Sequence, residues 1–170
     1  DNIAPALFGG IILIRSYEPL DILNLPVPKK LFSTAVLPDF IVNTLDARRM
    51  LPKRVPLKSA VEQAGNLAGF TLGLHESDFD LLGRSMVDLF AEPFRAELIP
   101  GYPSVRQSAM DAGAIGCGIS GSGPALFALS DSLKIAEHIG ITMVGAFKKA
   151  GLKSTAYSTP IHKKPPEILD

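Results

Sequence analysis

Residues 113–124 read Gly-Ala-Ile-Gly-Cys-Gly-Ile-Ser-Gly-Ser-Gly-Pro and contain five glycines. Glycine loses more conformational freedom on folding than any other residue, so this density is expected only where the main chain needs a positive φ or approaches another group closely. Two serines, Ser120 and Ser122, lie among the glycines. A loop of this composition leaves backbone N–H groups unobstructed, which favours contact with an anion such as a phosphate.

Two common nucleotide-binding motifs do not fit this segment. Gly116, Gly118 and Gly121 match the Gly-x-Gly-x-x-Gly pattern of dinucleotide-binding folds, which needs a strand before it and a helix after it. Here helical periodicity precedes the glycines, and residues 124–130 are typical of a buried strand. A Walker-type loop requires Gly-Lys-Ser/Thr, and the sequence contains no Gly-Lys pair. The order helix, glycine loop, strand therefore excludes the first motif, and the missing Gly-Lys pair excludes the second.

The composition predicts one globular domain without a preference for nucleic acid or membranes. Its 170 residues suit a single core, and 46% of them are hydrophobic. Lys plus Arg and Asp plus Glu number 17 each, so no basic surface for nucleic acid or an anionic membrane is expected. No apolar run approaches the roughly 18 residues of a membrane span. The single cysteine, Cys117, is typical of a reducing compartment and predicts a cytoplasmic protein.

Apolar patterning predicts an α+β fold. Strands are expected in four apolar or alternating runs, at residues 9–15, 31–37, 124–130 and 153–159. Helical patterns are interleaved with these runs. The elements together predict a two-layer sandwich, in which one mainly antiparallel four-stranded sheet carries helices on one face.

The longest predicted helix begins after Pro56. Its apolar residues recur at helical spacing and share one face: Leu57, Val61, Ala64, Ala68 and Leu72. Gly65, Gly69 and Gly73 recur every four residues along the same helix, which indicates close approach to a neighbouring element.

Four regions of the chain carry a further signal when they are taken together. They are Asp-Asn-Ile-Ala-Pro-Ala (1–6), Thr-Leu-Asp-Ala-Arg-Arg-Met-Leu-Pro (44–52), Glu-Pro-Phe-Arg (92–95) with Leu-Ile-Pro-Gly (98–101), and the glycine segment. In sequence and in order, they resemble the motifs of the homoserine kinases, a family of the GHMP kinase superfamily. The glycine segment alone resembles the third motif of the whole superfamily.

The resemblance implies a fold and an activity. It implies the ferredoxin-like C-terminal domain of GHMP kinases over residues 1–170, with the first residues forming the junction to an upstream domain. The implied reaction is ATP-dependent phosphorylation of L-homoserine to O-phospho-L-homoserine, in threonine biosynthesis, with Mg²⁺ as the metal. The main phosphate loop of the family is absent from these residues, so the chain is interpreted as the C-terminal portion of the enzyme. On its own it is expected to be inactive.

Five residues are expected to recognise the acceptor. Homoserine carries a carboxylate, and guanidinium groups hold a carboxylate best because their planar donors fix its orientation as well as its charge. By resemblance, Arg48 and Arg95 supply these groups. Asp1 is the expected partner of the substrate ammonium or hydroxyl, with Asn2 beside it. Thr44 either binds the substrate or caps its helix.

This chain is expected to support the nucleotide site rather than to make its main contacts with ATP. By resemblance, the supporting residues belong to the glycine segment: Gly118, Ser120, Gly121, Ser122 and Gly123. No catalytic base is identified, and the Mg²⁺ ligands are expected upstream. His75, His138 and His162 have neither ligand spacing nor paired carboxylates, so no metal site is expected here.

Two other functions stay open, together with the partners of the chain. One is a GHMP kinase with a mevalonate-type acceptor, which has a carboxylate and a hydroxyl but no amine. The other is a non-catalytic amino-acid-binding domain, because sandwiches of this kind serve many functions. The expected partners are homoserine, ATP and the upstream domain, and the resemblance also allows a homodimer.

Overall fold

The computed structural model describes residues 3–167. Seven helices occur in this part of the chain: α1 (Ile3–Phe8), α2 (Thr44–Arg49), α3 (Leu57–Glu76), α4 (Phe79–Ser85), α5 (Glu92–Arg95), α6 (Tyr102–Asp111) and α7 (Leu133–Lys149). A 3₁₀ turn, Ala96–Leu98, follows α5. The strands in the same residues are β1 (Ile11–Tyr17), β2 (Leu20–Leu25), β3 (Phe32–Pro38), β4 (Gly116–Ile119), β5 (Leu126–Ser130) and β6 (Ser154–Pro160).

The main sheet has four antiparallel strands in the order β4-β5-β3-β6. This arrangement confirms the predicted α+β fold with an antiparallel four-stranded sheet. Its register places Val36 opposite Leu126 and Cys117 opposite Ala128, all on one face. Helices α6 and α7 cover that face, and their apolar residues complete the main core with Val105, Ala109, Ile139, Met143 and Phe147.

In addition to apolar packing, hydrogen bonds hold α7 on the sheet. The buried hydroxyl of Thr34 on β3 donates to the backbone oxygen of Ala136 on α7 at 2.7 Å, and Ser158 on β6 donates to the same oxygen at 3.0 Å. Because both hydroxyls face the helix, the two strands hold one point of α7 in a single position. Buried hydroxyls in such places need these partners to offset their desolvation.

The opposite face of the sheet carries a smaller core under α3 and α4. Leu129 of β5 packs there with Leu74 of α3 and Leu82 of α4, and Phe127 lies beside them. This second layer of helices differs from the expectation of helices on one face. None of the helices found in residues 3–167 combines the length and the apolar character needed to span a bilayer.

Two strand predictions were wrong. The run at residues 9–15 forms a strand, but β1 pairs with β2 in a separate two-stranded sheet. Pairing across a short turn costs little loop-closure entropy, so a local partner is favoured over the distant main sheet. The fourth strand of the main sheet is instead β4, inside the segment that was predicted to be a glycine loop.

The apolar face of α3 is exposed. Leu57 and Val61 are 79% and 65% exposed, and Leu72 lies on the same exposed side. The polar side chains of Gln63 and Asn66 face inward instead, where they bond the backbone of Leu89 and Val87. A helix that directs its apolar stripe to solvent is typical of a surface that packs against another part of a protein.

The glycines of α3 confirm close helix approach at two of three positions. A Cβ placed on Gly69 would lie 2.4 Å from Oγ of Ser85, and one on Gly73 would lie 3.0 Å from the backbone nitrogen of Leu82. Around Gly65 there is nothing within 4 Å of such a Cβ. The first two glycines therefore allow α4 to pack directly against α3.

An alanine substitution in α4 tests the packing of that helix. A Cβ at Gly83 would lie 2.4 Å from the backbone oxygen of Ile115, which cannot move independently of the chain. We expect Gly83→Ala to lower the free energy of unfolding by about 1–3 kcal/mol. Gly65→Ala is the matched control, and it should raise the same quantity by about 0.5–1 kcal/mol through helix propensity. Urea unfolding followed by circular dichroism measures both, and a Gly83→Ala variant as stable as the parent would contradict this contact.

Candidate functional site

The candidate site is built where residues 86–95 lie against β4. Gly116 and Gly118 lie opposite Leu129 and Phe127 in the sheet, so they occupy positions on the face that carries those two side chains. A Cβ on Gly116 would lie 2.5 Å from Sδ of Met86, and one on Gly118 would lie 3.3 Å from Oε2 of Glu92. Two of the five glycines of the segment therefore create space for a neighbouring element.

Two further glycines of the segment lie in the turn between β4 and β5. Gly121 and Gly123 have φ values of +59° and +79°, which favour glycine. The turn is closed by hydrogen bonds from the N–H of Ser120 to the oxygen of Ala125 and from the N–H of Gly123 to the oxygen of Ser120, at 2.8 and 3.0 Å. Within residues 3–167, the N–H groups of Gly121 and Ser122 have no protein acceptor. These two donors are the ones that an anion at the turn can use.

Arg95 joins this turn. Its Nη1 donates a hydrogen bond of 2.8 Å to the backbone oxygen of Gly121. Its Nε is buried and has no hydrogen-bond partner in the described part of the chain. The structure thus brings together two elements that the sequence linked only through motifs, the arginine of residues 92–95 and the glycine turn.

Asp88 holds the start of the short helix that carries Arg95. Its carboxylate accepts hydrogen bonds from the backbone N–H groups of Phe90, Ala91 and Glu92 at 2.8, 2.9 and 3.1 Å. These donors precede or begin α5, where they lack acceptors within the helix, and a negative charge at this end is favoured by the helix dipole. The N-cap residue Ala91 has no side chain that can accept a hydrogen bond, so the Asp88 carboxylate accepts the Glu92 N–H at the start of α5 in its place.

A partly buried group of polar side chains joins α5 to α6. Tyr102 Oη donates a hydrogen bond to Oε1 of Glu92, and Nε of Arg106 lies 3.5 Å from the same oxygen without hydrogen-bond geometry. Burial of Tyr102, reinforced by its bond to Glu92, raises the pKa of the phenol above its ordinary value. The phenol therefore remains protonated at neutral pH and acts as the donor.

Cys117 lies close to this group but is not a reactive thiol. It is buried on the α6 side of β4. Burial is the main cause that raises the pKa of its thiol to about 12. Because the thiolate is the nucleophilic form, Cys117 serves as a small apolar residue of the core.

A half-open cavity of about 300 Å³ adjoins the site. It lies between α3, residues 85–88 and β4, and its lining includes Gln63, Asn66, Phe70, Glu92 and Gly118. The inward polar residues of α3 therefore face the same region as the glycine strand. The cavity gives the region both apolar walls and polar groups, as in small-molecule sites.

Helix α2 carries two of the predicted acceptor-binding residues, Thr44 and Arg48. Asn43 caps this helix by accepting a hydrogen bond from the N–H of Leu45 at 2.9 Å, so Thr44 is the first helical residue rather than the cap. Arg48 is exposed and forms no ion pair within residues 3–167, whereas Arg49 lies 3.6 Å from Asp46. No side-chain hydrogen bond or ion pair of the described residues links Arg48 or Thr44 to Arg95.

Two predicted acceptor residues, Asp1 and Asn2, lie outside the described residues. Among the residues that are described, no group of three or more His, Cys, Asp or Glu side chains is arranged to hold a metal ion. The substrate-binding and nucleotide-supporting roles assigned from the sequence stay predictions.

Sequence reasoning did not identify Asp88, Tyr102 or Arg106 as parts of this region. Asp88 lies three residues before the N-cap residue Ala91, outside the positions at which a sequence indicates a helix start. The contacts of Tyr102 and Arg106 with Glu92 depend on how α5 and α6 pack together. Local patterns do not contain that information.

Comparisons with known proteins show what the chain is similar to. Residues 70–140 match the family model described as GHMP kinases C terminal. The chain is 47% identical to the homoserine kinase of Chlorobium phaeobacteroides (strain DSM 266) over 99% of its own length, and 45% identical to that of Arabidopsis thaliana over 92%. It covers 53% and 43% of these two proteins, so it spans about half the length of the curated relatives it matches.

The chain is also similar to solved structures. The crystal structure of homoserine kinase from Cytophaga hutchinsonii matches 98% of the chain with a TM-score of 0.96 and 46% identity, and 53% of that structure is covered. A mevalonate kinase from L. major matches with a TM-score of 0.65 and 17% identity, which shows a shared fold alone.

Proposed function

Because the chain contains a C-terminal domain of the GHMP kinases and aligns over nearly all of its length with homoserine kinases, we propose that it is the acceptor-binding part of an ATP-dependent homoserine kinase. The proposed reaction transfers the γ-phosphoryl group of ATP to the hydroxyl of L-homoserine in the cytoplasm, and the O-phospho-L-homoserine serves threonine biosynthesis. The observation that carries this proposal is the anchored position of Arg95 beside the glycine turn.

The guanidinium of Arg95 has the chemistry that the acceptor carboxylate needs. Nη1 donates to the backbone oxygen of Gly121, which places the guanidinium beside the turn and leaves further donors of the same planar group for the carboxylate. Arg48 is exposed and unpaired in the described residues, which leaves a second guanidinium for the same carboxylate. We propose Asp1, Asn2 and Thr44 as the partners of the ammonium and hydroxyl groups.

The turn supports the phosphate side of the reaction. In the described residues, the N–H groups of Gly121 and Ser122 are free and fit an anionic oxygen. Gly118 and Gly123 support the turn indirectly, because a Cβ there would lie 3.3 Å from Oε2 of Glu92 and 2.9 Å from Cδ1 of Ile99. When ATP is bound, it supplies the phosphoryl group. The described residues then position the acceptor beside it and exclude water, and catalysis in this class of reaction depends chiefly on positioning and charge stabilisation.

Magnesium is proposed as the metal of the full enzyme, but the described residues contain no suitable ligand cluster. The relatives have a further part that this chain does not match. We assign the Mg²⁺ ligands, the main phosphate loop and any catalytic base to that part. We call this chain together with that part the full-length enzyme.

A mevalonate-type acceptor is the nearest alternative. Such an acceptor also offers a carboxylate to Arg95, but it lacks the ammonium for which Asp1 is proposed. A non-catalytic amino-acid-binding domain is the second alternative. It has no need of free N–H donors at a glycine turn, so the turn favours a kinase.

The exposed apolar surface indicates where the chain contacts its proposed partner. Leu57 and Val61 on α3 are 79% and 65% exposed. We propose that the rest of the full-length enzyme covers part of this surface, because burying apolar area is the main source of stability at such contacts. A homodimer through the same surface is the other arrangement to be tested.

Lysine substitutions test the acceptor site. In the full-length enzyme, Arg48→Lys and Arg95→Lys should each raise the homoserine KM about ten- to a hundredfold, on the order of 1.4–3 kcal/mol, because lysine keeps the charge but not the planar pair of donors. The ATP KM should change much less. Arg49→Lys is the matched control, since Arg49 is exposed and adjacent to Arg48. Equal losses for both substrates would indicate structural damage and contradict the assignment.

The isolated chain tests the division of roles. Residues 1–170 alone should release no ADP in a homoserine-dependent coupled assay, because the groups that stabilise transferred phosphate are assigned elsewhere. The exposed apolar surface should also make the isolated chain self-associate in size-exclusion chromatography. Turnover comparable to that of the full-length enzyme would show that the assignment of roles is wrong.

A further inference from the structure

Glu92, the first residue of α5, is held by groups from outside its own helix. Tyr102 Oη donates a hydrogen bond to its Oε1, and Nε of Arg106 lies 3.5 Å from the same oxygen. Oε2 faces the bare backbone of Gly118 on β4, 3.3 Å from the position that a Cβ there would occupy. Since Tyr102 and Arg106 belong to α6, one carboxylate joins α5, α6 and β4.

Helix α5 needs such outside support. It contains four residues, and a single helical turn has little stability of its own in water. Its direction therefore depends on what holds its ends. At its start, Asp88 accepts the hydrogen bond of the Glu92 N–H, and at its end Arg95 donates to Gly121.

The single hydrogen bond of Arg95 does not fix the orientation of its guanidinium. Nη1 donates to Gly121, but Nε is buried without a partner in the described residues. A planar group with one bond can still rotate about that bond. The backbone that carries Arg95 must therefore determine the direction of the other donors.

We propose that Glu92 is a positioning residue, which uses its contacts with Tyr102 and Arg106 to set α5 so that Arg95 presents its guanidinium to the acceptor carboxylate. Glu92 and Arg95 are three residues apart, so they share one helical turn and a rotation of that turn moves both. The inference deepens the proposed function and rests on it. It assigns a role to the Glu-Pro-Phe-Arg sequence as a unit, in which the acid holds the turn and the arginine binds the substrate.

A double-mutant cycle in the full-length enzyme tests the inference. Glu92→Gln keeps the size of the side chain but removes its charge, and it should raise the homoserine KM about tenfold, as expected for the loss of a charge-assisted hydrogen bond. The ATP KM and kcat should change less than about threefold. If Glu92 acts through Arg95, the same substitution in an Arg95→Lys background should raise the homoserine KM by less than about twofold.

The matched control is Glu97→Gln, which removes the same charge from an exposed residue in the turn after α5. It should leave the homoserine KM unchanged. An equal effect of Glu92→Gln in the parent and in Arg95→Lys would overturn the positioning role while leaving the proposed function intact. If Arg95→Lys alone does not change the homoserine KM, the proposed function itself fails.

Tyr102→Phe provides a second variant that keeps both charges and removes one hydroxyl. In the parent enzyme, Tyr102→Phe should raise the homoserine KM without a comparable change in the ATP KM. In the Arg95→Lys background, it should leave the homoserine KM nearly unchanged. Tyr157→Phe, at an exposed tyrosine of β6, is its control. Should Glu92→Gln fail to fold, as judged by its circular dichroism, Tyr102→Phe decides the question by the same criteria.

Discussion

The absence of side chains on one face of β4 is the constraint on which the rest of the site depends. At Gly116 a Cβ would overlap Sδ of Met86, and at Gly118 it would press on the carboxylate of Glu92. Because both positions are bare, residues 86–92 can lie directly on the sheet. Any larger residue there would displace this segment, and with it the helix that carries Arg95.

This close approach connects the two halves of the proposed chemistry. Asp88 and Glu92 fix the position of α5, and Arg95 at its end donates to the oxygen of Gly121. In the same turn, the N–H groups of Gly121 and Ser122 are free of partners among residues 3–167. The acceptor carboxylate and the phosphate oxygens are therefore assigned to opposite sides of one peptide segment. Such a short connection is well suited to phosphoryl transfer, in which positioning accounts for much of the rate.

The fold was largely predictable from the sequence, and the site was predictable only in part. Strands β3, β5 and β6 were predicted within two residues of their bounds because their side chains form apolar or alternating runs. Strand β4 was missed because its two glycines have low strand propensity and only Cys117 and Ile119 remain to indicate it. Arg95 was identified through its motif, whereas the contact of Glu92 with Tyr102 joins two helices and follows from tertiary packing alone.

The central claim is that this chain binds the carboxylate of an amino-acid acceptor, and substrate analogues test it most directly. ADP release by the full-length enzyme would be measured with L-homoserine, with 3-aminopropan-1-ol, which has the same hydroxyl and amine but no carboxylate, and with mevalonate, which has no amine. We predict turnover with homoserine and a kcat/KM at least about a hundredfold lower with 3-aminopropan-1-ol, because two charge-assisted interactions are lost. Equal turnover with 3-aminopropan-1-ol, or a preference for mevalonate, would contradict the account.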